Sequence, residues 1–306
     1  MRWPEGKQFA FTIFDDPDSQ TLEAGERIYG FLEDCGFRTT KGVWPLAPSR
    51  APSDHGVTCG DSQYRRWVQQ LQEKGFEIGL HNVTPHTSAR TEVLRGLDLF
   101  RDYFGRDPRV FAQHYFSQEN LHWGDQRVTG WRRLIYNLLT GFRNRDRFFG
   151  HVEHHNLFWG DLCRERIDYV RNFVFGDINT LAACPYMPYH DPLRPWVKWW
   201  FASSEGSKLV SFLNTLSEVN QDRLEQEGGA CIIYVHFGHG FCENGTLNSR
   251  FRDLMRRLSR KNGWFAPVST LLDYLRGQGR GRPITDSERR QLECRWLWHK
   301  IRFGTA

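Results

Sequence analysis

The stretch Gln8-Phe-Ala-Phe-Thr-Ile-Phe14, followed at once by Asp15 and Asp16, decides the fold. A run that is almost entirely apolar, aromatic or β-branched predicts a strand buried on both faces, as in parallel sheets. Functional side chains collect beyond the carboxyl ends of parallel strands. The acidic pair, with Asp18 close behind it, therefore predicts a functional site at this end of the strand.

Short apolar segments alternate with helix-compatible segments along the rest of the chain. The predicted strands are 8–14, 37–44, 76–80, 110–115, 169–175, 208–213, 231–236 and 264–268. The predicted helices include 21–34, 61–74, 88–104 and 248–261. This alternation predicts an α/β fold built on a parallel sheet or barrel.

Composition excludes several classes of protein. The 306 residues have a net charge of +5 without a basic block on one face, so we expect no nucleic-acid partner. No apolar run approaches the roughly 18 residues of a membrane span, and no secretory signal is recognisable, so we expect a cytoplasmic protein. The seven cysteines form no C-x-x-C pair, which argues against a zinc knuckle and favours free thiols.

Titratable side chains stand at five predicted strand ends. They are Asp15, Asp16 and Asp18 after the first strand, His81 and His86 after the third, His114 after the fourth, Asp177 after the fifth, and His236 and His239 after the Cys231 strand. One carboxylate and two imidazoles are the ligand set of a catalytic zinc with an open position. Any single histidine here is better explained by loop hydrogen bonding; the repetition across strands favours a metal site.

Four segments carry a resemblance to a known family. Phe11-Thr-Ile-Phe-Asp-Asp-Pro17, Glu77-Ile-Gly-Leu-His81-Asn-Val-Thr-Pro-His86, Ile232-Ile-Tyr-Val-His236-Phe and the segment 263–275 follow one another along the chain. In that order they resemble the motifs of the polysaccharide deacetylase superfamily, the NodB-homology group that includes carbohydrate esterase family 4. The resemblance spans about residues 6–276, although only these short motifs carry it.

The resemblance implies a distorted (β/α)7 barrel that binds a divalent metal and removes acetyl groups from glycans. By the same resemblance Asp15 matches the general base, and His236 matches the general acid. Asp16, His81 and His86 match the metal ligands. The implied metal is Zn²⁺, with Co²⁺ or Ni²⁺ as alternatives.

The chain also departs from the family pattern. His81 and His86 are five residues apart, with Pro85 between them, whereas the family spacing is four. The family's third-motif arginine is replaced by the segment 112–116, which contains His114. Asp18 is an additional carboxylate that could share or replace a metal contact. These departures indicate a divergent branch.

A second group of residues is predicted to contact substrate. It comprises His114, Tyr115, Asp177, Trp199, Trp200 and His239. The two tryptophans belong to an aromatic, proline-rich segment, 186–201, which could form either barrel core or a cleft wall on which sugar rings stack.

The chain divides into two predicted parts. Residues 1–276 form the barrel domain, with a helical and aromatic insertion at about 116–200, and residues 277–306 form a linker and a C-terminal helix. The helix begins at a capping box from Thr285 to Glu288 and carries Leu292 and Trp296 on one stripe. It could pack against the barrel or bind a partner.

The sequence predicts a metal-dependent hydrolase that removes acetyl groups from an N- or O-acetylated carbohydrate, acting on amide or ester bonds. The alternatives are a metal-dependent amide hydrolase for a non-glycan small molecule and a non-catalytic glycan-binding relative. The predicted partner is the acetylated carbohydrate.

Overall fold

Seven parallel strands form a closed barrel in the computed structural model, which describes residues 2–305. The strands are β1 (Phe9–Asp15), β2 (Thr40–Val43), β3 (Glu77–Leu80), β4 (Val110–Phe111), β5 (Tyr169–Phe175), β6 (Trp199–Ser204) and β7 (Ala230–Val235). Strands that follow one another in sequence pair with one another, and β1 closes the barrel by pairing with β7. The predicted α/β barrel of the deacetylase type is confirmed.

Three more strands lie outside this closed set of seven. A hairpin is formed by β8 (Cys242–Glu243) and β9 (Thr246–Leu247), and β10 (Gly263–Phe265) pairs with the first half of β1. Because β7 occupies one edge of β1, β10 and β2 share the other edge, β10 at its start and β2 at its end. The carboxyl end of β1, where the acidic residues stand, therefore lies inside the closed part of the barrel.

Helices surround the strands and fill the connections between them. They are α1 (Leu22–Asp34), α2 (Ser62–Glu73), α3 (Arg90–Phe104), α4 (Trp131–Leu139), α5 (Gly160–Arg166), α6 (Thr180–Ala183), α7 (Leu209–Thr215), α8 (Glu218–Glu227), α9 (Ser249–Ser259), α10 (Val268–Gly277) and α11 (Asp286–Phe303). Within residues 2–305, none of them combines the length and the apolar character needed to cross a bilayer.

The sixth strand is not where the sequence pattern predicts it. Residues 209–213 belong to α7, whose apolar positions Leu209, Phe212 and Leu213 recur at helical spacing. The strand is instead β6, within the aromatic segment, and the prediction of a strand at 208–213 is wrong. Trp200 is fully buried and pairs with Val170 of β5, so this part of the segment is core.

The C-terminal helix packs against the barrel, as the first of the two alternatives expects. Leu292 and Trp296 are buried, and the Trp296 indole stacks on Tyr136 of α4 at a ring distance of 5.5 Å. Glu293, also buried, accepts a hydrogen bond from Arg132 of α4 at 2.7 Å. These contacts bring the last turn of α11 to the carboxyl ends of the barrel strands, where Lys300 faces the cavity described next.

Candidate metal and catalytic centre

A cavity of about 840 Å³ opens at the carboxyl ends of the barrel strands. Five of its polar side chains come from strand ends or the loops just beyond them: Asp16 and Asp18 after β1, His81 after β3, His114 after β4 and His236 after β7. A sixth, Arg171, projects from β5 itself. The loops beyond four strands therefore converge on one site, as expected for a barrel of this topology.

Asp18, His81 and His114 form the tightest cluster in the cavity. The Nε2 atom of His81 lies 3.1 Å from Asp18 Oδ2, and the Nε2 atom of His114 lies 3.4 Å from Asp18 Oδ1. All three residues are buried, and one ligand atom from each lies within 4.8 Å of the others. A carboxylate and two imidazoles in this arrangement fit a divalent transition metal with an open coordination position.

The polar atoms of this cluster are not satisfied by the protein. Asp18 Oδ2, both ring nitrogens of His81 and His114 Nε2 are buried without a hydrogen-bond partner among the described residues. Burial alone would raise the pKa of the Asp18 carboxyl, but the electrostatic attraction of the adjacent His81 and His114 imidazoles holds this pKa well below its usual value. Buried ligand atoms that face one another without hydrogen-bond partners in the protein are expected in a metal site.

Asn82 brings the two histidines together. It follows His81 directly and adopts a left-handed backbone conformation, with φ 51°, which asparagine tolerates better than most residues. Its side-chain oxygen accepts a hydrogen bond from the backbone N–H of His114 at 2.7 Å, and its amide group donates to Glu119 and Asn120. The loops after β3 and β4 are thereby held in contact, which fixes the His81–His114 pair.

Asp16 faces the same cluster but is held by an arginine. Arg171 donates two hydrogen bonds to its carboxylate, from Nη1 to Oδ1 at 3.1 Å and from Nη2 to Oδ2 at 2.6 Å. The Oδ1 atom also lies 3.5 Å from His81 Nδ1. A buried bidentate pair of this kind holds the carboxylate in one orientation.

His236 follows β7 and therefore approaches the aspartates from the side of β1 opposite to His81. Its Nδ1–H group donates a hydrogen bond to the Ser207 carbonyl at 2.9 Å, which turns Nε2 towards the aspartates. Nε2 lies 3.6 Å from Asp16 Oδ2 and 3.7 Å from Asp18 Oδ2. The ring is partly exposed to the cavity, so a protonated Nε2 can reach a bound molecule.

Asp15, predicted as the general base, lies beneath the cavity rather than in its wall. Its carboxylate is fully buried and forms an ion pair with Lys41 Nζ at 2.9 Å. Gln20 and Tyr29 donate to the same oxygen, and the Phe237 backbone N–H donates to the other. Burial raises the pKa of Asp15, and Lys41 opposes that shift. These partners indicate a structural role.

The buried Asp15–Lys41 pair leads to a prediction about stability. Lys41→Met is expected to lower the free energy of unfolding by about 3–5 kcal/mol, because it leaves Asp15 as an uncompensated buried charge. The double variant Asp15→Asn/Lys41→Met removes both charges and is expected to recover much of that loss. Urea unfolding of the metal-free proteins measures both values. A loss below about 1 kcal/mol for Lys41→Met would contradict a structural role for the pair.

His86, predicted as a metal ligand, points away from the cluster. Its Nε2 accepts a hydrogen bond from the Ser49 backbone N–H at 3.1 Å, and its Nδ1 lies 2.9 Å from the Thr87 carbonyl and 3.0 Å from Thr84 Oγ1. Both ring nitrogens therefore have partners, Nδ1 within the same loop and Nε2 in the loop after β2. The structure brings together Asp16 and His81 of the predicted ligand set, without His86.

The predicted substrate residues separate into two groups. His114, Tyr115 and His239 line the cavity. Trp199 and Trp200 lie at the amino end of β6, at the opposite end of the barrel, and Asp177 is paired with Arg223 of α8 at 2.8 Å. Trp199 packs under the Arg276 guanidinium at 4.8 Å.

Sequence reasoning missed the roles of Arg171, Arg127 and Lys300 in the cavity wall. Arg171 had a signal, since a charged residue within an otherwise buried apolar strand requires a buried partner. Arg127 and Lys300 had none, because they come from the insertion and the C-terminal helix, whose positions depend on the tertiary structure.

Comparisons with known proteins place the chain by its structure alone. No family model and no curated protein sequence matches it. Among solved structures, a Mycobacterium smegmatis protein assigned to the polysaccharide deacetylases superposes with a TM-score of 0.51 at 11% identity, covering 93% of this chain and 96% of the other. A probable polysaccharide deacetylase of Pseudomonas aeruginosa PAO1 gives 0.51 at 10% identity, over 90% and 94% of the two chains.

The chain has the polysaccharide deacetylase fold. The fold that the sequence resemblance implied is thereby confirmed. The same fold is found in PuuE allantoinase, which superposes with a TM-score of 0.50 at 12% identity, covering 90% of this chain and 93% of the other. Deacetylase-type barrels thus accommodate different substrates, and the chemistry of this chain has to be argued from its own site.

Proposed function

We propose that this deacetylase-type barrel is a metal-dependent hydrolase that removes an acetyl group from an acetylated carbohydrate. The observation that carries the proposal is the convergence of Asp18, His81 and His114, buried and without hydrogen-bond partners at their facing atoms, in the wall of a large cavity. A cluster this costly to bury is explained by a bound divalent cation.

Asp18, His81 and His114 would hold the metal, most simply Zn²⁺, with Co²⁺ or Ni²⁺ as alternatives. When bound, such an ion lowers the pKa of water and polarises a carbonyl group. This ligand set differs from the one implied by sequence resemblance: Asp18 takes the place of Asp16, and His114 takes the place of His86. His81 is common to both sets.

Asp16 is proposed as the general base in place of Asp15. Its carboxylate faces the cavity, whereas that of Asp15 is enclosed by Lys41, Gln20 and Tyr29. Arg171 holds Asp16 in one orientation through two hydrogen bonds, and Asp16 would take a proton from the attacking water. Arg171 thus serves as a positioning residue.

His236 keeps its predicted role as the general acid. The Ser207 carbonyl holds Nδ1–H, so Nε2 is the atom that can carry a proton into the cavity. On cleavage of an amide or ester, the departing nitrogen or oxygen would take that proton. His236 Nε2 and Asp16 Oδ2 lie 3.6 Å apart, so the proposed proton donor and proton acceptor can both reach the same bound molecule.

Acetate release from Zn²⁺-loaded protein tests the proposal. We expect release from at least one member of a panel of N- and O-acetylated sugars, with loss of activity on chelation and recovery on adding Zn²⁺. Release from simple acylated amines but from none of the sugars would favour the alternative of a non-glycan amide hydrolase. Failure to bind stoichiometric Zn²⁺, Co²⁺ or Ni²⁺ would overturn the proposal and favour a non-catalytic relative.

A further inference from the structure

Two cations that the proposed reaction does not use line the same cavity. Arg127 ends a short 3-10 helix, Gly124–Arg127, in the insertion, and Lys300 lies near the end of α11. Neither belongs to a barrel strand, and both are held in place by packing. They form one wall of the cavity, which we call the cationic wall.

Arg127 is 2% exposed and has no carboxylate partner among the described residues. Its guanidinium lies between the rings of Trp123, at 4.0 Å, and Trp296, at 4.3 Å. Its Nη1 donates a long hydrogen bond of 3.4 Å to the Asn172 carbonyl, and its Nε is buried without a partner. Stacked between two indoles, the guanidinium plane is fixed while its charge remains uncompensated.

The other buried arginines of the described chain provide the comparison. Each forms an ion pair: Arg132 with Glu293, Arg171 with Asp16, Arg194 with Asp191, and Arg289 with Asp191. A buried charge without a partner is costly, and proteins normally supply one. Arg127 departs from that pattern, and it is the arginine that combines burial, a cavity-facing position and the absence of a carboxylate.

Lys300 adds a second positive charge to the cationic wall. Its Nζ donates to the Thr305 carbonyl at 2.8 Å and lies over the rings of Tyr136 and Trp296 at 5.9 and 5.7 Å. Burial, together with the nearby Arg127 charge, lowers the pKa of Lys300 to about 8. It also lacks a carboxylate partner within residues 2–305, so two repelling cations face the same space.

We propose that the cationic wall binds an oxyanion, a carboxylate or a phosphate, on the sugar that occupies the cavity. The planar donor fork of an arginine suits both groups, and a lysine beside it adds charge. Resting on the proposed function, this makes the substrate class an acidic acetylated sugar. The acetyl group would lie at Asp18, His81 and His114 while the oxyanion lies at Arg127 and Lys300.

Sugar probes without an acetyl group test the cationic wall separately from hydrolysis. Calorimetric binding of glucose, glucose 1-phosphate, glucose 6-phosphate and glucuronate to the Zn²⁺-loaded protein compares neutral, phosphate-bearing and carboxylate-bearing ligands. We expect at least one acidic sugar to bind about tenfold or more tightly than glucose. The identity of that probe distinguishes a phosphate from a carboxylate substrate.

Three variants locate the binding site of the anion. Arg127→Gln and Lys300→Gln are each expected to bring the ratio of acidic to neutral affinity within about twofold of unity. Arg290→Gln, which removes an exposed cation from the same helix as Lys300, is expected to leave the ratio unchanged. If Arg127→Gln does not fold, Lys300→Gln still decides the question, because that side chain is only partly buried.

Equal binding of acidic and neutral sugars by the wild-type protein would overturn the proposal. So would a preference that survives in both variants, since the anion would then be bound by the metal itself. Both results would leave acetate release from neutral sugars, and with it the proposed function, intact. Conversely, a preference that depends on the cationic wall in a protein without hydrolytic activity would support this site and overturn the proposed function.

Discussion

His114→Ala is expected to lower the affinity for Zn²⁺ by about 100-fold or more, whereas His86→Ala leaves it nearly unchanged. The reason is geometric. His114 Nε2 faces Asp18 and has no other partner among the described residues, while both ring nitrogens of His86 are engaged by Ser49, Thr84 and Thr87. The two histidines differ little in burial, at 2% and 3% exposed, so each is a matched control for the other.

Competition with a chelating dye measures this difference, and metal content after gel filtration provides a second readout. Both variants should first be shown to unfold cooperatively, because each removes a buried ring. Loss of zinc from His86→Ala and retention by His114→Ala would restore the ligand set implied by the sequence motif. Loss from both would mean that the loop after β3 has to be intact for binding.

Asp16→Asn is expected to lower kcat by a factor of about 10²–10⁴ while zinc remains bound, because the amide cannot accept a proton from water. Asp15→Asn is expected to keep kcat within about threefold of the wild type and to lose stability instead. The comparison separates the two adjacent aspartates, of which Asp16 faces the cavity and Asp15 pairs with Lys41. Steady-state kinetics on the best substrate of the acetate-release panel measures both.

A control is needed because Asp16→Asn also leaves Arg171 without its carboxylate. Arg171→Met removes the arginine and keeps the proposed base; it is expected to reduce kcat less than Asp16→Asn does, because the base is still present but is no longer held in one orientation. The assignment would be contradicted if Asp15→Asn abolished turnover in a folded, zinc-loaded protein while Asp16→Asn retained it.

The barrel and the location of its site follow from local patterns in the sequence. Strands such as β1 and β7 are continuous apolar runs, and the polar residues after them have to lie at the same end of a parallel barrel. This placed Asp16, Asp18, His81, His114 and His236 at one mouth, as the structure has them. The prediction depended only on strand direction, which the alternation of elements determines.

The assignment of individual roles could not be derived in this way. A family motif predicts ligands from the spacing of residues along the chain. Here His86 follows His81 by five residues, and its imidazole points towards Ser49 and away from Asp18. The second imidazole near Asp18 is that of His114, from the loop after the next strand. Asn82 holds that loop by accepting a hydrogen bond from the His114 backbone N–H. The replacement of one histidine by another from a different loop produces no sequence motif, because His81 and His114 are 33 positions apart.

The sixth strand shows another limit of sequence reasoning. The sequences of α7 and β6 are both short and apolar. Which of them pairs with β5 and β7 depends on the tertiary structure of the barrel. Prolines before Trp199 made a loop the natural interpretation. Short apolar runs are ambiguous in this way because periodicity over six residues cannot separate a buried strand from a helix face.

The position of Lys300 on α11 has a consequence for how this protein can evolve. The groups proposed to carry out the reaction stand on barrel loops, whereas the cationic wall comes from the insertion and the C-terminal helix. Exchange of Arg127 or Lys300 alone is expected to change which molecules are accepted without altering Asp18, His81 or His114. On the roles proposed above, ligand choice and catalysis would be encoded in separate stretches of the gene.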